Sequence, residues 1–160
     1  MSTRWSGVSR PHLSVVLRDG VDDLGNAVDP FVDAEGGWWL RCCLAHSRPG
    51  DTLAIIGFSA FPWHGPFRES GPVVVHADLD GCPGHDGGFP VGLAGRPRVL
   101  RAYGDDAGRA RTQVYDLNRV VGAEEDLAAH VQHVLADPRV RRVHLHHPVA
   151  GCFTAAAERV

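Results

Sequence analysis

The sequence predicts an α+β fold: a mostly antiparallel β-sheet with one principal helix and a C-terminal β-hairpin. Three observations predict it. Short runs rich in Val, Ile and aromatic residues recur between clusters of Gly, Pro and Asp, the pattern of strands separated by turns. One segment, residues 123–136, has helical spacing, with Leu127, Val131, Val134 and Leu135 recurring at i, i+4, i+7 and i+8. Two strand-like arms, residues 140–147 and 152–158, flank Pro148-Val149-Ala150-Gly151, so the chain should finish as a hairpin.

In chain order, residues 1–37 carry the weakest pattern, with a short strand expected at 12–17. They are read as an irregular N-terminal segment packed on a core of residues 38–160, within one domain spanning 1–160. The first clear strand is 38–45. The turn Ser47-Arg48-Pro49-Gly50-Asp51 and a second strand, 52–61, predict an antiparallel hairpin. A loop at 62–72 carries Trp63, His64, Arg68 and Glu69 before a short strand at 73–78. The Gly-rich stretch 80–97 is long for a loop without structure, which marks it as mobile or functional. Strands at 99–103 and 109–116 are joined by the turn residues 104–108. In the helix, Glu124, Glu125 and Asp126 complement the dipole of the first turn and Asp137-Pro138 closes the far end. His130 falls at the flank of the apolar stripe and His133 away from it.

Composition sets limits on function. A chain of 160 residues, 44% hydrophobic and 22% charged, matches one packed domain. A net charge of −3 argues against nucleic acid as a partner, which calls for a surplus of positive charge on one face. All sixteen basic residues are Arg, so a Lys nucleophile or Schiff base is excluded. No stretch approaches the ~20 apolar residues of a membrane span and residues 1–7 lack a signal-like apolar run, so no membrane partner and a cytoplasmic location are expected. The four cysteines, Cys42, Cys43, Cys82 and Cys152, are then read as reduced thiols. Cys42 and Cys43, placed in a strand, would point to opposite faces as small apolar residues.

Three segments together resemble the domain of unknown function 1203 family: Ser70-Gly71-Pro72-Val73-Val74-Val75-His76 with Cys82 following, Gly88-Phe89-Pro90 leading into Leu100-Arg101-Ala102-Tyr103, and Val143-His144-Leu145-His146 ending in Gly151-Cys152-Phe153. The resemblance spans roughly residues 37–160. It implies a small bacterial protein with an α+β fold, and implies no activity.

Several polar residues are candidates for chemistry. On a strand at 140–147, Val143 and Leu145 face one way, and Arg142, His144 and His146 the other. An H-x-H pair on a rigid strand suits half of a transition-metal site, or two histidines on a polar sheet face. Cys152 opens the returning arm, which would bring its thiol near His146 as a candidate nucleophile and base, or leave it an inert thiol. Arg68 offers a donor fork for a carboxylate or phosphate, and Arg101 and Tyr103 share a strand face that would add to the same pocket.

The leading expectation is a pocket for a small anionic ligand lined by Arg68, His76, Arg101, Tyr103, His144, His146 and Cys152. The first alternative is a metal-dependent enzyme using His76, Cys82, His144 and His146, with a transition metal as its cofactor. The second is an interaction module in which the aromatic residues of 62–72 form a contact patch.

Overall fold

The computed structural model describes residues 2–61, 63–104 and 112–160. Its strands are β1 (Thr3–Ser6), β2 (Phe31–Val32), β3 (Trp39–Leu40), β4 (Ala45–His46), β5 (Thr52–Phe58), β6 (Gly71–His76), β7 (Arg98–Gly104), β8 (Thr112–Gln113), β9 (Arg119–Val121), β10 (Val140–His146) and β11 (Phe153–Arg159). Among the described residues there are also two α-helices, α1 (Arg10–Asp19) and α2 (Leu127–Ala136), and two single 3-10 turns, Val91–Leu93 and Tyr115–Leu117. The expected α+β class and its largely antiparallel pairing are present, but the strands form two sheets. One has the order β1-β11-β10-β7-β8 with β9 also on β7, and the other the order β2-β5-β6-β3-β4.

The C-terminal hairpin pairs as expected. β10 runs antiparallel to β11, with His144 opposite Ala156, Leu145 opposite Ala155 and, past an irregularity, His146 opposite Phe153. On its other edge β10 pairs with β7, placing Arg142 opposite Tyr103, His144 opposite Arg101 and His146 opposite Val99. Strand alternation therefore sorts the sheet into two faces. Val143, Leu145, Leu100, Ala102, Ala155 and Ala157 pack under α2, whereas the two histidines with Arg101, Arg142 and Tyr103 face the second sheet.

Helix α2 begins at Leu127, four residues later than the expected start at 123. Asp126 is the N-cap, its carboxylate accepting from the Ala129 amide at 2.9 Å, so Glu124 and Glu125 precede the helix. Leu127, Val131, Val134 and Leu135 are buried as the spacing predicts, while His133 is exposed.

The N-terminal third departs most from expectation. Residues 12–17 lie inside helix α1 instead of forming a strand. The Ser9 hydroxyl caps the helix N-terminus, Pro11 sits in its first turn, and Gly20, at φ 69°, terminates it in the left-handed region that glycine adopts without penalty. Leu13 and Val16 are buried by this periodicity. Residues 3–6 form an edge strand on β11, so the segment 2–37 is integral to the fold.

The predicted hairpin between 38–45 and 52–61 does not form either. β3 is only two residues long, and a turn through Arg41, Cys42, Cys43 and Leu44 folds the chain back to β4. Leu44 stands at φ 51°, the one non-glycine residue with positive φ among those described. β5 pairs with β2 and β6 instead, and β3 pairs in parallel with β6 through Leu40 and Val74. The expected turn at 105–108 and the start of the expected strand at 109–116 fall outside the described residues; Thr112 and Gln113 do pair antiparallel with β7.

Two apolar clusters result. One lies between α2 and the first sheet; the other joins α1 with β5 and β6 of the second. The sheets are tied together by side chains reaching across: Trp39 Nε1 donates to Thr154 O at 3.1 Å and Arg41 Nε donates to Phe153 O at 2.8 Å. The candidate chemistry gathers along this seam. Among the described residues, no helix is long and apolar enough to cross a membrane.

Candidate functional site

The polar face of β10 turns inward, so its histidines are buried at 1% exposure for His144 and 3% for His146. His144 lies among the rings of Phe61, Tyr103 and Phe153, and its Nε2 accepts from Arg142 Nε at 2.9 Å. Burial, followed by the charges of Arg142, His146 and Arg101, holds its pKa well below the usual imidazole value. It is therefore a neutral acceptor that fixes Arg142, whose guanidinium also pairs with Glu158.

His146 is placed differently. Its Nδ1 lies 2.9 Å from Gly151 O, which assigns the proton to Nδ1 and leaves Nε2 with a lone pair. That Nε2 is buried with no hydrogen-bond partner, and Glu69 Oε2 stands 3.6 Å away. Burial lowers the His146 pKa against the raising influence of Gly151 and Glu69. Glu69 in turn pairs with Arg101 and accepts from the Tyr103 hydroxyl at 3.3 Å. Burial, with Glu69 adding to it, pushes the Tyr103 phenol up, so this hydroxyl stays a donor at neutral pH.

A cavity of about 210 Å³ opens on these groups, lined by His144, His146, Glu69 and Cys152 with Phe61 and Phe153 as its apolar walls. The Cys152 thiol makes no hydrogen bond to either imidazole; its polar neighbour is Arg41, whose Nη2 lies 3.4 Å from the sulfur. The nucleophile and base expected of Cys152 and His146 thus share a cavity without forming a hydrogen-bonded pair.

Arg41, next to Cys152 but outside the cavity lining, is unforeseen. It is buried at 7% exposure, and its other bonds go to the carbonyl oxygens of Trp39 and Phe153. No carboxylate pairs with it among the described residues. Arg98, also 7% exposed, has a buried Nε without a partner and feels the repulsion of Arg96 and Arg41. Burial lowers both guanidinium pKa values, but an Arg remains charged at any physiological pH. The signal for Arg41 was a lone charge inside the apolar run Trp38-Trp39-Leu40-Arg41-Cys42-Cys43-Leu44.

Of the seven ligand candidates, His144, His146 and Cys152 line the cavity, and Arg101 and Tyr103 stand behind it, holding Glu69. Arg68 does not reach it. It is exposed in a neighbouring groove, donating to the Ser59 hydroxyl at 2.8 Å and to His64.

His76 is also elsewhere, at the far end of β6 from Gly71, which borders the cavity. Five residues at about 3.3 Å each separate those ends by roughly 16 Å. The expected four-residue metal set of His76, Cys82, His144 and His146 is therefore divided between two places. His76 and Cys82 meet Cys42 and Cys43 instead, and the four donor atoms lie within 4.8 Å of one another. Residues 41–44 form a turn, so the adjacent thiols share one side, where an extended strand would have opposed them. Hydrogen bonds from Cys42 and then Cys43 lower the Cys82 thiol, whereas those to Cys43 and Cys82, with burial, push Cys42 up.

A family model described as "Protein of unknown function (DUF1203)" matches residues 37–159. Comparison with curated proteins and with solved structures gives no match.

Proposed function

The chain belongs to the DUF1203 family, whose description assigns no activity, and we propose from the chemistry of the seam between its sheets that the protein binds a small organic anion there. The observation that carries this reading is the Arg41 guanidinium: a buried charge whose partners are carbonyls and a thiol. Burying an unpaired ion costs several kcal/mol, a cost that an anionic ligand offsets. Arg98, with its unpartnered Nε, adds to the same demand for negative charge.

Arg41 stands behind the cavity wall, 3.4 Å from the sulfur of Cys152, and the groups that line the cavity itself narrow the ligand. His146 Nε2 and the Glu69 carboxylate are both acceptors, 3.6 Å apart, so a hydroxyl or amine placed between them satisfies both. A volume of about 210 Å³ admits a molecule of a few heavy atoms. A short hydroxy acid or amino acid, its carboxylate toward Arg41 and its donor toward His146, has the matching polarity. Phe61 and Phe153 supply apolar walls and exclude water. Binding is the activity proposed; Cys152 lies within reach of the ligand but has no activating base hydrogen-bonded to it.

The test is a calorimetric titration of the full chain with acetate, glycolate, L-alanine and inorganic phosphate. Glycolate or L-alanine should bind at least tenfold more tightly than acetate, and Arg41→Met should abolish that binding. Equal affinity for acetate and glycolate, or a wild-type Kd retained in Arg41→Met, overturns the reading. Loss of a protein partner on Trp63→Ala, with no anion bound by the wild type, would instead favour an interaction module.

A further inference from the structure

A second site lies at the other end of the second sheet, and we propose that Cys42, Cys43, His76 and Cys82 bind one zinc-like divalent cation as a closed tetrahedral site. It is independent of the anion cavity and shares no residue with it.

The backbone delivers the four ligands. β3 and β6 run parallel with Leu40 opposite Val74, and just past the end of β3 Cys42 meets His76 at the end of β6, whose amide donates to the Cys42 sulfur. Arg41 N donates to Val74 O at 2.9 Å and continues the register past the end of β3. The turn over residues 41–44 puts Cys43 on the same side. Cys82 returns from the loop after β6, where its amide donates to Leu79 O at 3.2 Å. All four residues are buried.

The dimensions suit a tetrahedral ion. Zn–S bonds of about 2.3 Å and Zn–N bonds of about 2.0 Å separate neighbouring donors by roughly 3.5–3.8 Å. Cys42 Sγ and His76 Nδ1 stand 3.4 Å apart, and every pair in the group is within 4.8 Å. Three sulfurs and one imidazole form a donor set that favours zinc among common divalent ions, and four protein ligands leave no position for substrate. The site is structural: it ties the β3–β4 turn to β6 and to the Gly-rich loop.

Groups around the four ligands agree. His76 directs Nδ1 at the sulfurs and Nε2 at Asp51, whose Oδ2 is 3.4 Å away, the carboxylate–histidine pairing that orients a metal-bound imidazole. Asp51 is itself held by the Arg48 amide at 2.8 Å. The His76 amide donates to Cys42 Sγ at 3.2 Å. Binding releases the thiol protons to solvent, so three thiolates and a neutral imidazole around a dication leave one negative charge. The Arg10 guanidinium, donating to Cys82 O at 3.2 Å, stands at that corner to balance it.

The test uses the reduced full chain. Elemental analysis of protein purified without chelator should find one zinc per chain. Chelator-treated protein titrated with Co²⁺ should develop thiolate-to-cobalt charge-transfer absorption and intense tetrahedral d–d bands, reversed by zinc. Cys82→Ser should lose these bands, Cys152→Ser should keep them, and Asp51→Ala should weaken Co²⁺ binding about 10–100-fold. If Cys82→Ser fails to fold, a fall in wild-type Tm on chelation, restored by zinc, decides for the site. Absence of charge-transfer bands in the reduced wild type, or their loss in Cys152→Ser, overturns it.

Discussion

Two histidines two residues apart on one strand have opposite roles, and the difference lies in what each nitrogen meets. His144 Nε2 is engaged by Arg142, so His144→Ala strands a buried guanidinium Nε and empties space among three aromatic rings. Its expected cost is about 2–4 kcal/mol, read as a lowered urea midpoint. His146 Nε2 has no partner to lose. His146→Ala loses the Nδ1 bond to Gly151 O and a buried ring, so it should lower the midpoint too, by less than His144→Ala, while abolishing anion binding. Equal destabilisation by the two substitutions would show that both are structural.

The same residues set a pH dependence. Both folded-state imidazole pKa values lie below the usual 6.5, His144 by burial above all. The unfolded chain therefore binds more protons than the native one once pH drops through 6.5, and stability falls with pH in that window. Urea midpoints should be level from pH 8 to 7 and decline from pH 6.5 toward 5. His144→Gln should decline less steeply; an identical slope would remove His144 from the account.

At the scale of elements, helix α2 shows what periodicity can specify. Leu135 is fully buried and His133 is exposed, so Leu135→Ala should cost about 2–5 kcal/mol through lost burial and a residual cavity, and His133→Ala almost nothing. Comparable effects in denaturation would mean that another face of the helix meets the sheet. Helix α1 shows the converse. Its residues 12–17 include β-branched Val15 and Val16 and read locally as a strand, yet the Ser9 cap, Pro11 and Gly20 define the ends of a helix. Those end signals were present in the sequence; weight given to Val-rich propensity concealed them, and packing of Leu13 and Val16 decided the outcome.

On the scale of the whole molecule, two apolar clusters are joined across the seam by Trp39 and Arg41. These cross-links should make unfolding a single cooperative event, so tryptophan fluorescence and far-UV circular dichroism should give coincident denaturation curves. Arg41→Met is expected to shift both curves together. Separate midpoints in the wild type would show that the sheets unfold independently.

What the sequence determined by itself were the features written in neighbouring residues. The terminal hairpin, the apolar stripe of α2, and the opposite facing of Val143/Leu145 and His144/His146 all rest on local alternation or spacing. The same alternation placed Arg101 and Tyr103 on the face that meets His144 and Arg142. Tertiary structure alone decided which distant segments met. Nothing local to 38–45 or 73–78 shows that β3 pairs in parallel with β6, and that pairing separates His76 from His144 and joins it to Cys42. Nor does composition show that Arg41 enters the seam without a carboxylate, since a side chain's partners depend on how the sheets pack. Spacing along a strand fixes direction within a few ångströms, whereas a site assembled from β3, β6 and β10 depends on long-range pairing, which closes loops that no short window contains.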